Sequence, residues 1–270
     1  MPRRTIANAA SRALLAATYT GLAPCTSPGL APVHFVGAHA PDAIVTVAAI
    51  ILAAASASAL ADADGLPRVR RLVDVAWSGG ALPVVVVAPD PDGAVAAALA
   101  GTEVTLATPA PIEAGPVGQM LRGIEVASGE VHETSAALVW PARLCWVGPE
   151  TVTSLLEAHG AMPEAILRPA FRDVAGWPAL VPFKHLADLR TLAADLDPDG
   201  VLDTLSRTGG PIATLELGDP GVVIDGDTPR GDLPAYIGPP EPASQHHHEW
   251  GEGIDERPED APLGGPRIAD

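Results

Sequence analysis

An α/β protein with a mainly parallel sheet is the fold class this sequence predicts, on three observations. Apolar runs of strand length alternate with segments of helical period from residue 44 to residue 217, the pattern of strands joined by right-handed crossovers. One run, LPVVVVA at 82–88, is apolar at successive positions, as a strand buried on both faces is. Aromatics are only 4% of the chain while hydrophobic residues reach 47%, mostly Ala, Val and Leu. The core is therefore aliphatic and suits Ala-rich helices packed on a sheet.

The elements follow in order. Residues 1–42 are poorly periodic and read as a partly disordered appendage, with a short extra strand at 33–37. Residues 44–52 are a strand. The uncharged run 43–61 approaches transmembrane length, but its first half is β-branched and its second half is Ala and Ser. It reads as a buried strand followed by a loop or helix start. A helix is expected over 65–79, with Leu66, Val69, Leu72, Val73 and Ala76 inward and Arg68, Arg70, Arg71 and Asp74 outward. Gly79-Gly80 end it. A strand at 82–88 and a short helix at 90–100 come next, then a strand at 104–107 and a helix at 115–128. A strand at 136–140, a helix at 149–159 and a strand at 165–168 follow. Helices at 186–194 and 199–207 and a strand at 212–217 complete the domain, which runs from 43 to 237. From residue 238 to 270 Pro, Gly, Glu, Asp and His dominate, and the composition is that of a disordered acidic tail. His246–His248 lie in it and could bind a transition metal loosely, but without a surrounding ligand framework they read rather as solvated.

Composition excludes some functions. A formal net charge of −17 argues against a general nucleic-acid binder, which needs clustered Lys and Arg. A nucleotide site is still allowed, because backbone amides bind phosphate locally. Lys184 is the only lysine, so no lysine precedes it to serve a phosphate loop. Cys25 and Cys145 are the only cysteines and show no zinc spacing. Two cysteines fit a reducing, cytoplasmic setting. Arg3-Arg4 and the apolar stretch 13–23 before Cys25 outline a lipoprotein-like signal, but Pro24 and Arg12 speak against it. No membrane association is expected.

Several motifs carry chemistry. IILAAA at 50–55 ends a strand and opens a loop. GPVGQMLRGI at 115–124 is a glycine-rich helix entry, read equally well as ordinary helix geometry or as close approach to a ligand. ALVWPA at 137–142 ends another strand. RPAFRDVAGWPAL at 168–180 contains Trp177, either a stacking platform or an amphipathic rim residue. VVIDGDTPRGDL at 222–233 reads as an apolar strand ending at Asp225, with Asp227 beyond it and Thr228-Pro229 opening a helix. Two carboxylates at a strand end can hold Mg²⁺.

In this order the motifs resemble the MobA/MocA-like nucleotidyltransferases, which transfer a nucleotide from CTP or GTP to the phosphate of molybdopterin. The resemblance spans roughly residues 45–236 and is most specific at 225–233. It implies a three-layer, Rossmann-like, GT-A-like nucleotidyltransferase fold. It implies that Leu52, Ala53, Ala54 and Ala55 form the loop around the nucleotide, with Gly115 and Gln119 near its base and ribose. It implies that Gly176 and Trp177 approach the acceptor and that Asp225 or Asp227 assists Mg²⁺. The partners implied are a nucleoside triphosphate, a phosphorylated small-molecule acceptor and a molybdoenzyme maturation partner.

The chain also departs from the pattern. Ala55 replaces the loop glycine, and Asp62 and Asp64 lie where an arginine, a glycine and a lysine are expected. Trp140 stands where the principal metal aspartate belongs, Arg143 follows it, and Trp177 replaces a histidine. Two readings follow: a nucleotidyltransferase of reduced or altered activity, or a catalytically inactive relative serving as a binding or assembly module in molybdenum-enzyme maturation. An unrelated Rossmann domain ranks last, because no G-x-G-x-x-G follows the first strand.

Overall fold

The computed structural model describes residues 46–208 and 210–238. The expected extra strand at 33–37, the Cys25 region and His246–His248 lie outside the described residues. In chain order the elements are β1 (Thr46–Leu52), α1 (Ser56–Leu60), α2 (Arg68–Ser78), β2 (Val84–Val87), α3 (Ala94–Ala98) and β3 (Thr105–Ala107). Then come α4 (Gly115–Glu130), β4 (Thr134–Pro141), α5 (Pro149–Ala161), β5 (Ile166–Phe171), β6 (Val174–Ala175) and β7 (Ala179–Pro182). The last three are α6 (Leu186–Leu189), α7 (Pro198–Thr208) and β8 (Ile212–Glu216).

The strands form one sheet in the order β3-β2-β1-β4-β7-β5-β6, with β8 also paired to β5. β1 pairs in parallel with β2 and β4, β2 with β3, and β5 with β8. Only β7 and β6 run antiparallel to their neighbours. The mainly parallel α/β sheet is therefore as expected.

Alternation along β1 builds the layers. Val47, Ala49 and Ile51 pack with Leu72 and Val73 of α2 and Val152 and Leu155 of α5. Ala48 and Ile50 face the other way, onto Met120 and Ile124 of α4 and Val201 and Leu202 of α7. Helices thus cover both faces, which is why the central strands read as continuous apolar runs. No helix among the described residues is long and apolar enough to cross a membrane.

Four expectations are corrected. The run at 222–225 is not a strand: Pro220–Val222 is a 3₁₀ turn. Asp219 causes it, since its carboxylate accepts from Gly221 N at 2.8 Å while Val223 N and Ile224 N donate to the Pro220 carbonyl. The helix expected at Thr228-Pro229 is a single 3₁₀ turn, Arg230–Asp232. Arg68 does not face outward with the rest of its helix surface but is buried. The helix expected at 186–194 stops at Leu189, where Thr191 turns its amide and hydroxyl to the Asp188 carbonyl. β6 and β7 have no counterpart in the sequence reading. β7 is four residues between prolines, and β6 is two residues with Val174 exposed.

Candidate nucleotide cleft

Ligands of open parallel sheets bind beyond the carboxyl ends of the strands, where strand order reverses. Here that point lies at β1, which leads to β2 on one side and borders β4 on the other. A cavity of about 580 Å³ opens there, lined by Leu52, Val87 and Pro141, the last residues of the three strands. Ladder-like bonds continue one step beyond: Ala53 N donates to Val87 O at 3.0 Å and Ala142 N to Leu52 O at 2.8 Å. The loop after β1 is then tied across the cleft by the Ser56 hydroxyl, which donates to Pro89 O at 2.6 Å.

Leu52, Ala53, Ala54, Gly115 and Gln119 all line this cavity. Ala55 is the exposed residue that caps α1, beside the lining but not in it. Gly115 has φ +58°, and a Cβ there would overlap the Ala194 carbonyl oxygen. Only glycine fits. Gln119 is bonded to the facing loop through both polar atoms: its Oε1 accepts from Ala110 N at 2.9 Å and its Nε2 donates to Ala110 O at 3.0 Å. Its position in the cleft is that of a clamp.

The walls are otherwise mainly apolar, with Ser58 among them and prolines at 89, 109, 116, 141 and 198, and Ile112 is 86% exposed at one edge. Arg143 is the only charged residue in the lining among the described residues. Trp140, where the resemblance leads one to expect an aspartate, is fully buried, and its Nε1 donates to Leu144 O at 2.9 Å. That bond folds 141–144 back over the end of β4 and delivers Arg143 to the cleft.

Asp225 and Asp227 lie just behind Arg143. Gly226 N donates to Arg143 O at 2.6 Å, stitching their loop to the β4 end. Arg143 Nη1 faces Asp225 Oδ2 at 3.4 Å, and Arg68 Nη2 faces Asp227 Oδ1 at 2.5 Å. Asp227 N also donates to Asp225 Oδ1 at 3.1 Å. A third pair, Arg230 with Asp64 at 3.0 Å, ties the same loop to the start of α2. Cys145 lies buried under this network. Burial raises its thiol pKa, and the nearby Arg68 and Arg71 guanidiniums offset that only in part.

Two carboxylates, each already facing a guanidinium, do not fit a resident divalent cation as arranged. Among the described residues no group of three or more His, Cys, Asp or Glu side chains is assembled that could hold a metal.

Gly176 and Trp177 sit elsewhere. A Cβ at Gly176 would overlap the Val222 carbonyl. Trp177 N donates to Val222 O at 2.9 Å, and the indole is only 2% exposed, packed in the core with the Arg168 guanidinium 5.4 Å from its centre. It is a core residue, neither the stacking platform nor the rim residue that the sequence left open. Its Nε1 has no hydrogen-bond partner among the described residues.

Sequence reasoning missed Asp219 and Asp90. Asp219 accepts from Gly148 N, Thr151 Oγ1 and Gly221 N, tying the start of α5 to the C-terminal segment. Asp90 accepts from Val95 N and Ala96 N and caps α3. Their signal is an aspartate directly before proline, at 219-220 and 90-91, a turn-initiating pair.

Comparison with known proteins agrees with this architecture. The MobA-like NTP transferase domain matches residues 49–208. Among solved structures, a 4-diphosphocytidyl-2C-methyl-D-erythritol synthase superposes with a TM-score of 0.53 at 17% identity, covering 66% of this chain and 92% of its own. Rv0371c from Mycobacterium tuberculosis H37Rv, crystallised with manganese, gives 0.50 at 18% identity, covering 64% and 89%. Its homologue from Mycobacterium sp. strain JC1 gives 0.51 at 14%, covering 63% and 85%. At these identities the likeness is one of fold, the Rossmann-like nucleotidyltransferase fold. No protein of curated function matches by sequence.

Proposed function

The chain belongs to the MobA-like NTP transferase domain family, and from that premise we propose that it binds a nucleoside triphosphate in the cleft and transfers the nucleotide to a phosphorylated acceptor, such as molybdopterin, with attenuated activity. The observation that carries this reading is the cleft itself: a cavity of about 580 Å³ at the switch point of the sheet, where nucleotides bind in folds of this kind. Leu52, Ala53, Ala54 and Ala55 supply backbone to the loop around the nucleotide. Gly115 lets α4 enter close to it, and Gln119 holds the opposing loop in place. Gly176 and Trp177 are both buried and present no surface to an acceptor.

Attenuation follows from the charges. Nucleotidyl transfer depends on positive groups placed on the phosphates. The loop lysine is absent, Trp140 replaces a metal aspartate, and Asp225 and Asp227 are held by arginines. Loss of one electrostatic stabiliser costs about 3 kcal/mol of transition-state stabilisation. A divalent cation, Mg²⁺ or the manganese carried by Rv0371c, would have to displace Arg143 from Asp225 or Arg68 from Asp227. The setting is the cytoplasm, where nucleotides are abundant and thiols stay reduced.

The two ion pairs favour a second reading, a member that binds nucleotide and serves molybdenum-enzyme maturation as an assembly module without transfer. Calorimetry with CTP, GTP, ATP and UTP tests the binding step common to both. At least one nucleotide should release heat, and silence from all four would overturn the reading. Pyrophosphate release with molybdopterin as acceptor then separates the two: slow release supports transfer, and binding without release supports the module.

A further inference from the structure

The cleft poses a charge problem. A nucleotide brings at least two negative charges, and among the described residues the lining offers one charged residue, Arg143. The carboxylates that would bring a divalent cation to balance those charges are instead paired to guanidiniums. The geometry points to Arg143 as the phosphate ligand of this cleft, acting in place of a divalent cation, so that nucleotide phosphate binds without metal. The inference rests on the nucleotide reading above.

Three observations support it. First, Arg143 lies two residues beyond the β4 end and is fixed by its backbone: its carbonyl accepts from Gly226 N at 2.6 Å. The side chain can therefore change partners without moving the loop. Second, the Arg143–Asp225 contact is long, at 3.4 Å, and its side chains are 52% and 37% exposed. An exposed pair of this kind is weak, so a phosphate, with more charge and more acceptor oxygens, displaces the carboxylate. Third, the neighbouring pair is the closer one: the nearly buried Arg68 reaches the exposed Asp227 at 2.5 Å, so a guanidinium still faces Asp227 when Asp225 is released.

The sign of the Asp225 effect distinguishes this site from a metal site. A metal ligand lost by Asp225→Asn would weaken nucleotide binding. Here Asp225 competes with phosphate for Arg143 and repels it, so its neutralisation should tighten binding. Magnesium should not be required, since it only shields the phosphates that Arg143 has to contact.

Calorimetric titration of the full chain with each of the four nucleoside triphosphates, in EDTA and in excess Mg²⁺ or Mn²⁺, tests the inference. Affinity in EDTA should equal or exceed that with metal. Arg143→Ala should weaken binding by roughly 10- to 100-fold, and Asp225→Asn should tighten it by about 2- to 5-fold. Arg143→Lys, which keeps the charge, should recover part of the loss and guards against a folding defect. Binding that appears only with metal, or that Asp225→Asn abolishes, overturns the inference and leaves the nucleotide reading standing. Metal-free binding untouched by Arg143→Ala overturns the assignment to Arg143. No binding under any condition overturns the nucleotide reading itself.

Discussion

Two tryptophans show how differently one residue type can be used in this core. Trp140 Nε1 donates to Leu144 O, whereas the buried Trp177 Nε1 has no partner among the described residues. Replacing a bonded donor leaves a buried carbonyl unsatisfied, and replacing an unbonded one removes a penalty. Trp140→Phe should therefore cost about 1–3 kcal/mol in urea denaturation, and Trp177→Phe distinctly less. His159, buried in the last turn of α5, sets a pH dependence. Burial lowers its pKa from the ordinary 6.5, so on acidification the unfolded chain takes up the proton first. The stability His159 confers is complete above about pH 6.5 and is lost as pH falls from there toward the lower folded value. Melting temperatures at pH 7.5 and 5.5 should differ less in His159→Gln than in the parent, and an equal difference would remove His159 from the account.

At the level of elements, sequence legibility depended on whether the decisive partners were local. The strands around 44–52 and 82–88 were readable because a strand covered on both faces must be apolar at every position. The helix at 115–128 was readable from period and from Gly115. The segment at 222–225 was misread because its conformation is dictated by the Asp219 carboxylate and not by its own apolar side chains. β7 was missed because residues 179–182 gain strand character only by lying against β4 and β5. In the cleft, motif order located Leu52 to Ala54, Gly115 and Gln119, but no local pattern announces that Gln119 is spent on Ala110 or that Trp177 is core. Two element-scale outcomes follow. Asp90→Ala should destabilise the protein by about 1 kcal/mol, the usual effect of losing a cap, measured by chemical denaturation. Gly115→Ala should cost about 2 kcal/mol or more, because its φ is positive and the Ala194 carbonyl occupies the space of a methyl group.

For the molecule as a whole, a formal charge of −17 sets up self-repulsion that compaction intensifies. Salt screens it. Raising NaCl from 20 to 500 mM should lift the melting temperature by about 2–5 °C, although the same salt loosens the exposed Arg143–Asp225 and Arg230–Asp64 pairs. A fall instead would show that those pairs outweigh the global field. The Gln119–Ala110 clamp has a consequence at this scale too. Each polar atom of the one carboxamide in the cleft wall already holds a bond to Ala110, which leaves one N–H and one lone pair to meet a base edge, beside Ser58 and the loop backbone. A slot walled mainly by proline and alanine reads shape more than hydrogen-bonding pattern: purines and pyrimidines should differ only modestly in affinity, and much of the choice of molecule would fall to the acceptor side.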